Sequence, residues 1–265
     1  MLPLSPCGRG SIVTPFQKIV SGAAPTRRTI TAMLASAPAL ALGGCSTRPR
    51  TIRYRLTLEV ETPDGMRSGA SVVELKTTFQ DGLLGGIASN SLISNIRGEA
   101  SVVDLGARGL LFCLLTGDPS RPGSVGAERV AGTAFPMPRP PQTRYDSSAY
   151  LAGYFDDLNR RLPKTEFAFE LLPLLVRFRD IADPKSVERV DPDDLEKSFG
   201  PGVRLKRATI EITDDAVTTG IEKRLGWLQP YPEPSLSPAA DPFRDPLHPP
   251  FASTVHHGDF RRGLQ

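Results

Sequence analysis

The chain has 265 residues, with 32 Lys and Arg against 29 Asp and Glu, for a formal net charge of +3. The excess sits at one end: no Asp or Glu precedes Glu59, whereas Arg9, Lys18, Arg27, Arg28, Arg48, Arg50, Arg53 and Arg55 all do. From Cys45 onward 28 basic residues face 29 acidic ones, a formal −1, which argues against nucleic-acid binding because that needs a basic domain or a clustered basic face.

Arg27 and Arg28 are followed by an uncharged, largely apolar run from Thr29 to Leu42, and then by Gly43, Gly44 and Cys45. A positive flank, a short apolar core and small residues are the layout of an export signal. A permanent span takes roughly 20 apolar residues, and this run is shorter and carries Pro38.

Leu42-Gly43-Gly44-Cys45 resembles the lipobox of bacterial lipoprotein signal peptides. The resemblance implies that Leu42, Gly43 and Gly44 are read before cleavage and that Cys45 becomes an acylated N-terminus, its thiolate being the nucleophile that takes up lipid. Thr26-Arg27-Arg28-Thr29-Ile30 is similar to the twin-arginine export motif, although Thr31 stands where Leu is usual and no Lys follows. A start nearer Val20 would shorten the segment before the arginines, and an Arg-rich, acid-poor organellar transit peptide is the rival reading. Ser46 in place of Asp after the cysteine points by the same resemblance to the outer membrane.

With Cys7 in the signal and Cys45 lipidated, Cys113 alone is left, so no internal disulfide is expected. Its setting, Leu110-Leu111-Phe112-Cys113-Leu114-Leu115, is that of a small buried hydrophobe.

Ile52, Tyr54, Leu56, Leu58 and Val60 alternate with charged residues and Thr57, which predicts a half-buried strand. Thr62-Pro63-Asp64-Gly65 is a turn, and Ser68 to Thr78 a returning strand. Gln80 to Asn95 reads as a Gly-rich but apolar loop. Arg97–Leu105 and Leu110–Thr116 form a second pair of strands around Gly106-Ala107-Arg108-Gly109. Gly117–Thr143 has little pattern.

A helix from Ser147 or Ser148 to about Leu162 follows, with Leu151, Phe155, Leu158 and Leu162 on one face and Pro163 as its stop. Leu171–Arg179 reads as a buried strand, and Asp191-Pro192-Asp193-Asp194 as the opening of a short helix. Val203–Thr213 is a strand, and Val217, Ile221, Leu225 and Leu228 predict a last helix closed by Trp227. Eight prolines from Pro230 to Pro250 then predict a disordered tail.

The expected architecture is α+β: an antiparallel sheet with an N-terminal meander of about four strands plus two later strands, with about three helices and flexible termini. Signal peptide occupies 1–44, a lipidated linker 45–50, a single domain 51–228 and the tail 229–265.

Chemistry is thinly signalled. All three histidines, His248, His256 and His257, fall in the predicted tail, and no HExxH or paired-cysteine spacing occurs. Asp180 and Asp183, then Asp191, Asp193 and Asp194, then Asp214 and Asp215 are the best acidic cluster, but capping and turn roles explain most of them. The mixed charges from Phe178 to Trp227 resemble an uncharacterised group of proteobacterial envelope lipoproteins. The expectation is a lipid-anchored binding or assembly module with an envelope protein partner and no cofactor. A hydrolase working through Asp180 and Asp183, or a calcium-dependent site, is the alternative.

Overall fold

The computed structural model describes residues 49–80, 91–138, 147–228, 234–237 and 250–263, all within the compact unit Cys45–Gln265. It shows the expected α+β class, built as two antiparallel sheets with helices packed on them.

β1 (Arg50–Thr62) and β2 (Gly65–Gln80) form the predicted hairpin, in register from Arg50↔Thr77 to Thr62↔Gly65. Thr62 closes its turn by accepting from the Asp64 N–H at 3.2 Å and donating to the Gly65 carbonyl at 2.8 Å, and Gly65 supplies φ +112°. All five apolar residues of the alternation, Ile52 to Val60, are buried at 5% exposure or less. Each contributes roughly 1.5–3 kcal/mol by leaving water.

β3 (Ser91–Glu99) pairs on the far side of β2, and β9 (Arg204–Ile212) on the far side of β1. β6 (Lys164–Glu166) and β10 (Arg261–Arg262) take the edges, giving the order β10-β3-β2-β1-β9-β6. The start of β3 lies within the stretch predicted as a loop.

The fourth strand of the expected meander leaves this sheet. Arg97–Leu105 does not run straight, because the chain breaks at Ala100 and β4 (Ser101–Asp104) joins β5 (Leu110–Cys113), β7 (Leu175–Phe178) and β8 (Val187–Arg189) in a four-stranded sheet ordered β4-β5-β7-β8. Three local facts force the break: Gly98 takes φ +154°, the Glu99 side chain turns inward to accept the Gly220 and Ile221 N–H groups at 2.9 Å each, and the Ala100 N–H is taken by the Phe260 carbonyl at 2.9 Å. β4 then crosses over β2 at Gly69, where a Cβ would lie 1.9 Å from the Val102 carbonyl oxygen. Only glycine permits that approach.

The smaller sheet is buried on both faces. Val103, Leu111, Cys113 and Leu175 face the large sheet in a first core, which α1 (Ala127–Ala134) and α2 (Ser147–Arg161) also cover. Phe112, Leu114, Leu174, Val176 and Phe178 face away into a second core. The unbroken apolar run around Cys113 follows from this two-sided burial.

The second core corrects two readings of the sequence. No helix spans 214–228: Thr218 bonds Val72 through main chain and hydroxyl at 3.1 and 2.8 Å, Gly220 adopts φ +112°, and only a 3-10 turn, Ile221–Lys223, remains. Ile221, Leu225 and Leu228 are buried nonetheless. The second correction concerns 229–265, which is no disordered tail over its described residues: α4 (Phe251–Thr254), α5 (His257–Phe260) and β10 follow one another, and Leu236, Ala252, Val255 and Phe260 are buried. The folded part therefore extends past residue 228 to Gly263. Main-chain bonds hold the segment, Leu115 N–H to the Asp259 carbonyl at 2.7 Å and Leu236 N–H to the Val255 carbonyl at 2.8 Å. Phe260 sits among Phe112, Phe178 and Trp227 at centroid separations of 5.9 Å.

Two helices also differ in place. α1 lies in the stretch with little pattern, and α3 (Glu196–Phe199) begins after the acidic run, whose Asp191 instead accepts the Asp193 N–H at 3.0 Å in a turn. α2 matches its prediction up to Arg161; Leu162, at φ +46° before Pro163, leaves the helix and is exposed rather than on its buried face.

Candidate functional site

Arg27, Arg28, Leu42, Gly43, Gly44 and Cys45, which carry the predicted signal and lipidation site, lie outside the described residues. The other candidates can be placed.

The aspartates do not converge. Asp180 accepts the Ala182 N–H and Asp183 the Lys185 N–H, both at 2.9 Å, while Ser186 donates to both of their carbonyls. Each carboxylate thus shapes its own turn on the surface. Asp191 and Asp193 grip Arg121 at 2.8 and 2.9 Å, and Asp215 pairs with Arg55. No three His, Cys, Asp or Glu among the described residues are grouped to hold a metal ion.

The histidine segment is structural. The Asp259 carboxylate accepts the His256 N–H at 2.8 Å in a capping box, and the His257 ring stands against Trp227 at 5.6 Å. Burial pushes the Asp259 carboxyl above its usual range, against the pull of His256 and Arg262. Burial does the same to Glu99. It also lifts the Cys113 thiol far above its ordinary value, which removes the thiolate a nucleophile would need. The Tyr54 hydroxyl, likewise raised by burial, donates to the Ala127 carbonyl at 2.8 Å and pins α1 to β1.

A groove of about 210 Å³ opens beside that pin, and among the described residues its lining is the most apolar of the three cavities. Ile52, Leu75, Thr77 and Ser94 form its floor, at the end of the sheet where β1 begins. Glu128, Gly132 and Met137 come from α1 and the chain after it, and Leu151, Tyr154 and Phe155 from α2. The polar atoms on its wall are largely engaged: Thr77 and Ser94 share a hydrogen bond at 3.2 Å, and Tyr154 donates to the Phe135 carbonyl. Among the described residues that line it, Glu128 alone carries a charge. Arg50, next on the inward face of β1, pairs with Asp156 of α2 at 3.2 Å.

Sequence reasoning missed the α1 side of this groove. Ala127, Val130 and Ala131 carry a helical spacing, but Gly126 and Gly132 on either side obscure it. Two other cavities differ in character. One of about 190 Å³ adjoins Glu99, both of whose oxygens are already bonded, and one of about 420 Å³ lies by Phe178 and Ile181 with Asp180 as the carboxylate on its wall.

Comparison with family models, with curated proteins and with solved structures finds no match.

Proposed function

We propose that the protein is a lipid-anchored module of the bacterial cell envelope, held at the periplasmic face of a membrane through Cys45 and acting by binding rather than by catalysis. The anchor rests on the sequence: paired arginines, an uncharged core, and Leu42-Gly43-Gly44-Cys45. Supporting the binding role is one geometric contrast: the aspartates are taken up by turns and ion pairs, while the groove beside the start of β1 is apolar and holds a single carboxylate.

Chain geometry ties the two halves of the reading together. Arg50 is the fifth residue after Cys45, and an extended chain spans about 3.4 Å per residue, so the start of β1 stays within about 17 Å of the anchor. A hydrolase acting through Asp180 and Asp183 finds no such support, since neither carboxylate meets the other in a cleft.

Replacing Cys45 by Ala tests the anchor. Metabolic lipid labelling is expected to disappear and the protein to move from the membrane to the soluble fraction, and undiminished labelling of Cys45→Ala would refute the reading.

A further inference from the structure

We infer that the groove between α1, α2 and the start of β1 binds one acyl chain of a bilayer phospholipid. The inference rests on the envelope reading above for the source of its ligand, but the site itself is argued from the fold.

Three observations carry it. The groove has the right chemistry, because Ile52, Leu75, Leu151 and Phe155 line it and the hydroxyls it contains are already hydrogen-bonded. The groove is half open to solvent, with a volume of about 210 Å³, and hydrocarbon laid against its apolar wall removes that wall from water. It accommodates part of one chain, and two do not fit.

The groove is also built open. Gly132 stands in the middle of α1, where glycine weakens a helix by about 1 kcal/mol relative to alanine, and a Cβ built there meets nothing within 4 Å. Its backbone needs no glycine, since its φ is not positive. Gly132 lines the groove and is exposed, so a side chain placed there has room at the α1 wall.

Location supplies the third observation. The floor residues lie where β1 begins, with Thr77 paired to Arg50 and Ser94 to Thr77, while β2 and β3 run on past them to Gln80 and Ser91. Arg50 is the residue that the short tether from Cys45 keeps within about 17 Å of the membrane, so the groove lies at the end of the domain facing the lipid. Glu128 at its wall and the neutral Arg50–Asp156 pair beside it disfavour an anionic headgroup, which makes phosphatidylethanolamine the appropriate probe.

The test uses the full chain carrying Cys45→Ala, so that it is independent of acylation. The protein is incubated with vesicles containing radiolabelled phosphatidylethanolamine, the vesicles are removed, and label eluting with protein is counted. Gly132→Leu adds a side chain at the groove's α1 wall, and Gly153→Leu, equally exposed with nothing within 4 Å of its Cβ position but outside the lining, is the matched control. The expected result is stoichiometric label for the parent and for Gly153→Leu, with about tenfold less for Gly132→Leu, equivalent to about 1.4 kcal/mol. Absence of label from the parent overturns the inference, as does equal label on both leucine variants. Should Gly132→Leu lose its circular-dichroism signature, Gly132→Ala narrows the groove while favouring the helix: reduced label then supports the site, and unchanged label overturns it. Failure here leaves the Cys45 labelling result untouched, so the two readings fall separately.

Discussion

The two cores of this domain are made in different ways. The first is drawn from long, regular elements: β1, β2 and β9 present alternating apolar faces, and α1 and α2 cover them with helical stripes. The second is assembled from short pieces spread between Ala100 and Phe260, few of them periodic, around four aromatic rings and a histidine. Regular elements leave an opening where two helices and a sheet end fail to meet, which is the groove. The irregular core is filled in by a closing segment that brings Ala252, Val255 and Phe260, and its edge-to-face rings contribute about 0.5–1.5 kcal/mol per pair beyond their burial.

The largest effect is expected where the second core depends on one side chain. Phe260→Ala removes a fully buried ring in contact with three others and is expected to lower stability by about 4 kcal/mol, read from urea denaturation. A loss below about 1 kcal/mol would mean that the closing segment is an appendage. Next comes the crossing that separates the cores. Gly69→Ala places a methyl 1.9 Å from the Val102 carbonyl and is expected to cost about 3 kcal/mol, with the urea midpoint again the measure.

The smallest effect concerns pH, and it assigns a titration to one core. Glu99 and Asp259 both flank the second core, and burial raises both carboxyls in the folded state. The folded protein then binds more protons than the unfolded chain, so their contribution is present below the unfolded value of about 4 and is lost as pH rises through the raised folded values. Glu99→Gln and Asp259→Asn are expected to flatten that fall in a plot of urea midpoint against pH. The buried Tyr54 and Cys113 of the first core are held neutral there and make no contribution.

This contrast also explains what was legible in the sequence. Ile52 to Val60 declared a strand because every second side chain has the same environment, and Leu151, Phe155 and Leu158 declared a helix for the same reason. Leu236, Ala252, Val255 and Phe260 are too sparse among prolines to show a period, because each fills a gap in a surface already built by distant residues. The main-chain bonds from Ala100 to Phe260, from Leu115 to Asp259 and from Leu236 to Val255 have no sequence signature at all. The break at Ala100 was hidden likewise, since the partners of Glu99 lie at Gly220 and Ile221. Of the candidate site, the β1 and α2 walls followed from periodicity, whereas α1 was masked by its glycines.

The pairing of β10 with β3, and the seating of Phe260 against Phe112, bears on the order in which the molecule matures. The strand ending at Glu99 waits for its neighbour at Arg261, and the interior that Phe112 begins is finished only by Phe260, about 150 residues later in the chain. Such distant closures carry a large entropic penalty and form late. Until residues 251–263 have been made and have closed on them, Phe112 and Phe178 therefore stay unsheltered.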